Sequence, residues 1–212
     1  MTAPPGIASR APARAIKLEY ATVALALSEA AAALVSGIFA HSIALVAFGA
    51  DSLIEVASAI LVLFQLRSLL RLGATDNRSE RRAHRTVGVL FFTLAAYVVA
   101  GATFDLLHRH RAEENLLGFV VCIASGILMP GLALAKRRTS RALSRDGYRA
   151  LAGLLSSDAA ETALCGLLSW STLAGIGLTA WMGWWWADPV ASLTVVYFAL
   201  REGHEAWTCD DH

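Results

Sequence analysis

Carboxylates inside strongly apolar stretches are the residues of this sequence that could do chemistry. Asp51 and Glu55 lie four residues apart in an otherwise apolar run, so a helix would place both on one face. Asp158 and Glu161 lie in a later apolar run, and Glu29 lies in the first one. An ionised carboxylate at the centre of a bilayer costs about 2.5–3.5 kcal/mol, so five such side chains predict a site that binds positive charge.

The residue types predict a divalent cation as that charge. On a helix, Asp158, Glu161, Thr162 and Cys165 follow an i, i+3, i+4, i+7 pattern and share a face. Carboxylate oxygens, aided by a hydroxyl or a thiolate, suit a divalent metal ion. No Lys, Arg or His is predicted to lie within the spans that carry the acids, which leaves them without an internal positive partner. Metal ions and protons would therefore compete for the same oxygens.

Three of the candidate residues have simple structural alternatives. Glu29 could form a hydrogen bond to a neighbouring helix while protonated, Thr162 could bond back to its own helix, and Cys165 could pack as a small hydrophobic residue. These three are second-tier candidates for binding metal or protons. The predicted metal ligands are Asp51, Glu55, Asp158 and Glu161.

Six apolar segments are available to carry these residues through a membrane, which predicts an all-α bundle. The chain has 212 residues, of which 56% are hydrophobic and 17% charged, and its mean hydropathy is +0.53, which excludes an ordinary soluble domain. A span needs about 20 apolar residues, and the sixth segment has the shortest apolar part, ending near Leu200. The predicted spans are residues 18–40, 43–66, 85–107, 117–135, 151–181 and 187–206.

Basic residues predict the orientation of the spans. Sixteen of the eighteen Lys and Arg residues lie in the N-terminal segment, in the connections after the second and fourth spans, or at the end of the sixth. The positive-inside rule then places both termini on the cytoplasmic side of a cell membrane. In that topology, all five acids lie near the bilayer midplane. The expected organisation is a disordered cytoplasmic leader (1–17), a membrane domain (18–206) and a short tail (207–212).

Other polar residues near the ends of spans have ordinary explanations. Asp105 and Asp188 lie near the predicted outer ends, where a carboxylate is readily solvated. His41, His108 and His110 lie at the same side, where a solvated loop histidine is the default. The residues from Cys209 to His212 form either a metal-binding tail or a frayed terminus.

Several short motifs together resemble one family of membrane proteins. They are Gly37, His41-Ser-Ile-Ala-Leu, Gly49-Ala-Asp51-Ser-Leu-Ile-Glu55, and Trp186-Ala-Asp188-Pro189 at the start of the last span. With six spans, this pattern resembles the transmembrane domain of the cation diffusion facilitator family, which exchanges divalent metal ions for protons. Ser79-Glu-Arg-Arg-Ala and the Asp158 to Cys165 pattern are similar to a short bacterial branch of that family. The resemblance covers about residues 18–206.

The resemblance implies a transport site with two ligands from the second span and two from the fifth, commonly His-x-x-x-Asp. The second-span pair carries over to Asp51 and Glu55. Aligning Asp158 with the family's Asp places Leu154 where the His belongs, whereas aligning Asp158 with the His places Thr162 where the Asp belongs. Loss of the histidine weakens the usual zinc preference and admits harder ions such as manganese or ferrous iron.

The sequence therefore predicts a secondary transporter and not an enzyme. It would move a divalent cation outwards in exchange for protons, with zinc, manganese, iron, cobalt and nickel left open, and with no prosthetic group and no nucleic acid partner. Two alternatives stay open: a non-transporting metal-binding or assembly protein, and a metal-dependent membrane enzyme, although HExxH and GxSxG motifs are absent. A homodimer is among the implied partners, but the family's cytoplasmic domain is expected to be missing, so this sequence does not itself support dimerisation.

Overall fold

Six α-helices make up the described part of the chain. The computed structural model describes residues 10–72, 77–109, 113 and 115–208, with side chains at all of these except 72, 77–84 and 206–208. That part of the chain contains no β-strand, which confirms the predicted all-α class with six helices. The helices are α1 (Arg10–Ala40), α2 (Ile43–Leu72), α3 (Asn77–His108), α4 (Leu116–Arg145), α5 (Arg149–Met182) and α6 (Ala187–Thr208).

Five of these helices, α1 to α5, have a described segment that is long and apolar enough to cross a membrane. The last helix, α6, has 22 residues and carries Arg201 and Glu202 beyond its apolar part. Its role as the sixth span, like the cytoplasmic position of both termini, stays a prediction. The predicted leader at residues 1–9, His110, and the tail from Cys209 to His212 lie outside the described residues.

Two helices extend further into the basic regions than the sequence predicts. The first helix begins at Arg10, so residues 10–17 are helical and not a disordered leader. The fourth helix ends at Arg145, well beyond the predicted limit of its span at residue 135. Hydropathy marks where contact with hydrocarbon ends, whereas backbone hydrogen bonds continue through Lys, Arg and Ala, which are good helix formers. Lys136 consequently lies within a packed helix and not in a loop.

The two helices that carry most of the predicted ligands lie at the centre of the bundle. Helix α2 packs against α1, α3, α5 and α6, and α5 packs against α2, α4, α6 and, more lightly, α1. Glycines permit close approach at two of these contacts: a Cβ at Gly49 would lie 2.9 Å from the backbone nitrogen of Leu34, and one at Gly166 would lie 2.7 Å from Cδ of Pro130. Side chains from α1, α2 and α5 can therefore meet inside the bundle.

Asp188, in the first turn of α6, caps the start of α2. The Ser42 hydroxyl donates a hydrogen bond to Asp188 Oδ1 at 2.6 Å, and the Ala44 backbone N–H donates to Oδ2 at 3.2 Å. Asp188 is 1% exposed, so the expectation that it is solvated at the end of a span is wrong. Its carboxylate satisfies donors at the N-terminus of a helix that belongs to a different part of the chain.

Replacing Asp188 with alanine is expected to destabilise the protein by about 1–3 kcal/mol, because the Ser42 hydroxyl and the Ala44 N–H would both lose their buried acceptor. Thermal unfolding of the purified protein in detergent, followed by circular dichroism, measures the effect. Glu113→Ala is the control, because Glu113 is exposed at the same end of the bundle. Equal unfolding temperatures for the two variants would contradict the capping role.

Candidate functional site

Side chains from three helices meet in the middle of the bundle. Glu29 of α1, Glu55 of α2 and Cys165 of α5 each offer one ligand atom, and these atoms lie within 4.8 Å of one another. All three residues are buried, and the Cys165 thiol points at Glu29 Oε2 over 3.8 Å. In the described part of the chain, this is the set of acidic and sulfur side chains that comes close enough to share one metal ion. We call these three residues the metal cluster.

Glu55 is the member of the metal cluster with the greatest need for positive charge. Both of its carboxylate oxygens are buried, and neither has a hydrogen-bond partner among the residues that are described. The Cys165 thiol and the Thr162 hydroxyl both lie close to Glu55, but Thr162 Oγ1 donates to the backbone oxygen of Asp158 at 3.0 Å and the thiol faces Glu29. Buried polar atoms are nearly always paired in proteins, so this carboxylate marks a place for a cation or a proton.

A small cavity lies against the metal cluster on the side of α3 and α6. Its volume of about 20 Å³ accommodates a particle the size of one water molecule. Ser58 holds one wall in place by donating a hydrogen bond to Glu161 Oε2 at 2.6 Å. The cavity is lined by the apolar Phe91, Leu164, Leu168 and Phe198 and by the polar Asp51, Glu55, Glu161, Cys165 and Glu202.

Asp158 faces a different partner. The Lys136 ammonium of α4 contacts Asp158 Oδ2, Glu19 Oε2 at 3.4 Å and Thr162 Oγ1 at 3.2 Å. Lys136 and Glu19 are 0% exposed and Asp158 is 2% exposed, so water does not screen the charges. The expectation that the acids have no internal positive partner is therefore wrong for Asp158. The physical reason is the continuation of α4, which turns Lys136 onto the buried face of a helix.

Comparison with known proteins places this arrangement in a family. A family model described as the cation efflux transmembrane domain matches residues 20–206. The chain belongs to the cation efflux family. Members of this family are transporters and not enzymes, in agreement with the prediction of a transporter. The family resemblance inferred from the sequence motifs is confirmed as well.

A relative of this cation efflux protein covers part of the same region. Transmembrane protein 163 of Xenopus laevis is 30% identical over 145 residues, an alignment that includes 66% of this chain and 51% of that protein. The chain thus spans about half the length of this curated relative.

In this cation efflux protein, the predicted ligands lie in different places in the bundle. Glu55 lies with Glu29 and Cys165, which the sequence placed in the second tier. Asp51 and Glu161 line the adjoining cavity with Glu55. Metal binding by each of these side chains stays a prediction.

The residues at the family's fifth-span ligand positions, in either alignment, have different surroundings on α5. Asp158 and Thr162 both contact Lys136, and Leu154, at the alternative position of the family's histidine, is half-buried. Thr162 also lies close to Glu55 of the metal cluster. The hydroxyl therefore stands between the lysine and the metal cluster, whereas the Asp158 carboxylate is held by the lysine.

Sequence reasoning missed two residues of this network, Glu19 and Lys136. Glu19 lies near the predicted start of the first span, and Lys136 lies just beyond the predicted end of the fourth, so both were expected near the membrane surface. A signal for Lys136 was present, because small and apolar residues continue at helical spacing on both sides of it. The buried positions on this face of α4 include Met129, Ala133, Lys136, Ser140 and Leu143.

Proposed function

We propose that this cation efflux protein moves a divalent metal ion out of the cell across the cell membrane in exchange for protons. The observation that carries the proposal is the metal cluster, in which both oxygens of the buried Glu55 carboxylate lie beside Glu29 and Cys165 without a hydrogen-bond donor among the described residues. Two carboxylates and a thiolate are a donor set that proteins use for transition metals. A bound ion would supply the positive charge that the buried carboxylates need.

The metal cluster can also hold the protons that would be exchanged. The Cys165 thiol hydrogen is directed at Glu29 Oε2. Because a cysteine binds metal as a thiolate, an arriving ion must displace that proton, and a departing ion allows its return. Mutually exclusive binding of metal and protons at one set of atoms is the simplest basis for exchange.

The donor set bears on the choice of metal. Carboxylate oxygens alone would accept hard ions such as manganese, whereas a thiolate favours zinc, cobalt or ferrous iron. The presence of Cys165 in the metal cluster therefore favours the softer ions over those expected from an oxygen-only site. Asp51, Glu161 and Glu202 line the adjoining cavity and would attract a cation towards the metal cluster.

Flux through the reconstituted protein tests this function. Purified full-length protein is placed in liposomes that contain a metal-sensitive dye and a pH dye, and zinc, cobalt or manganese is added outside. With an acidic lumen, we expect metal uptake to accelerate and the lumen to become more alkaline as protons leave, with zinc and cobalt faster than manganese. Empty liposomes and a proton ionophore are the controls.

Each failure of this assay has a separate meaning. Metal binding without flux would replace the proposal with the alternative of a non-transporting metal-binding protein. Flux that ignores the pH gradient would retain transport but remove proton exchange.

A further inference from the structure

A second group of buried carboxylates lies closer to the helix ends rich in Lys and Arg than the metal cluster does. Glu19 and Asp158 meet at Lys136, whose ammonium contacts one oxygen of each. The other oxygens, Glu19 Oε1 and Asp158 Oδ1, are buried and have no hydrogen-bond partner within the described ranges. Each carboxylate thus has one oxygen on the lysine, and the Glu19 and Asp158 carboxyl groups also lie within reach of each other.

This group adjoins the metal cluster but is formed by different residues. Glu19 and Glu29 lie about 15 Å apart along α1, and Asp158 and Cys165 lie about 10 Å apart along α5, at a rise of about 1.5 Å per residue. Thr162 links the two groups, because its hydroxyl accepts a hydrogen bond from Lys136 at 3.2 Å and lies close to Glu55. Two places for positive charge therefore follow one another along α5.

Three side-chain oxygens surround the Lys136 ammonium. These oxygens belong to two carboxylates and a hydroxyl. Glu19, Asp158, Thr162 and Lys136 itself are all buried, so water does not reach the group. Such a set of oxygens resembles the donors that proteins offer to hard divalent cations. When both acids are ionised, one ammonium faces two carboxylates, and the group carries a net negative charge. The unpaired oxygens are Glu19 Oε1 and Asp158 Oδ1.

We propose that Glu19, Asp158 and Thr162 form a second cation site, and that the Lys136 ammonium is its built-in occupant. The lysine would exclude a second metal ion and keep Asp158 from serving the metal cluster, so that the protein binds one transported ion at a time. Without the lysine, the all-oxygen site would take a hard divalent cation such as Mn²⁺. The inference rests on the proposed function only in assigning the first ion to the metal cluster.

Metal binding to purified full-length protein tests the proposal, with Mn²⁺ and Zn²⁺ as probes and isothermal titration calorimetry as the readout. Lys136→Met has a side chain of similar length without the charge, and we expect it to bind about two ions for each chain where the wild type binds about one. The additional binding should be stronger for Mn²⁺ than in the wild type. Lys136→Arg, which retains the charge, and Lys136→Met/Asp158→Asn, which removes a ligand, should both return to about one ion.

A second readout covers a variant that folds poorly. Mn²⁺ should raise the thermal unfolding temperature of Lys136→Met but not that of Lys136→Met/Asp158→Asn, because a ligand stabilises only a folded state that binds it. Lys136→Met/Glu19→Gln removes the other carboxylate ligand, so Mn²⁺ should not stabilise it either. No additional Mn²⁺ binding to Lys136→Met and no Mn²⁺-dependent stabilisation of that variant would overturn the proposal.

The outcomes also separate this inference from the proposed function. If the wild type neither binds nor transports metal, the proposed function is wrong. Mn²⁺ binding by Lys136→Met would still support the second site in that case. If the wild type transports metal but a folded Lys136→Met protein binds no additional ion, only the proposal of a second site is wrong.

Discussion

Replacement of Glu55 by glutamine is expected to reduce metal flux by about 100-fold or more, because groups that merely support a metal ligand already cost about 10–100-fold when they are removed. Glu55 is the residue of the metal cluster whose two buried oxygens both lack a hydrogen-bond partner in the part of the chain that the structure describes. Glutamine preserves the shape of the side chain but removes the negative charge, so a divalent ion loses its principal charge partner. The fold should survive, since a buried amide is easier to accommodate than an unpaired buried carboxylate.

Initial rates of zinc or cobalt uptake into proteoliposomes, at equal protein content, measure this loss. Glu205→Gln is the matched control, because Glu205 is an exposed carboxylate of α6 that pairs with Arg201. Asp51→Asn should reduce flux less than Glu55→Gln, since Asp51 lines the cavity but is not part of the metal cluster. Undiminished flux in Glu55→Gln would remove the metal cluster from the transport mechanism.

Replacement of Lys136 by methionine is expected to lower the free energy of unfolding of the metal-free protein by about 3–5 kcal/mol. The change leaves Glu19 and Asp158 buried with no positive neighbour, and both residues are almost fully enclosed. Adding Asp158→Asn removes one of the two unpaired buried charges and should recover part of the lost free energy of unfolding. This partial recovery distinguishes a charge effect from a simple packing defect, which a second substitution would worsen.

Unfolding in detergent with a chelator present, followed by circular dichroism, measures the effect. Lys17→Met is the matched control, because Lys17 is an exposed lysine in α1 at the same end of the bundle. Its stability should remain close to that of the wild type. If Lys136→Met and Lys17→Met unfold alike, the buried ion pairs contribute little to the fold.

The candidate site was predictable from the sequence to the extent that it depends on residue type and local spacing. Asp51 and Glu55 stand out because two carboxylates one helical turn apart in an apolar run have few structural reasons to be there. The four-residue pattern from Asp158 to Cys165 also correctly placed its members along one helix. Which of those side chains meet Glu55 was not predictable, because that depends on the rotation of α5 against α2 and on the contribution of α1.

The pairing of Lys136 shows where this reasoning fails. A lysine next to an apolar segment is ordinarily a marker of the membrane surface, and hydropathy contains no information on how far a helix continues or which face is covered. The continuation of α4 to Arg145 and its packing against α5 place the ammonium against Asp158. Close contacts such as that between Gly166 and Pro130 help to set this packing.

The sequence by itself determined that the protein is an all-α bundle of the cation efflux family, with acidic side chains inside it. Those properties follow from hydropathy, charge distribution and motif spacing, each of which is read within a single segment of the chain. Only the tertiary structure decided that Glu29, Glu55 and Cys165 converge while Asp158 turns to Lys136. The physical reason is that the partner of a buried charge is set by the packing of separate helices, and residues far apart in the sequence become neighbours only through that packing.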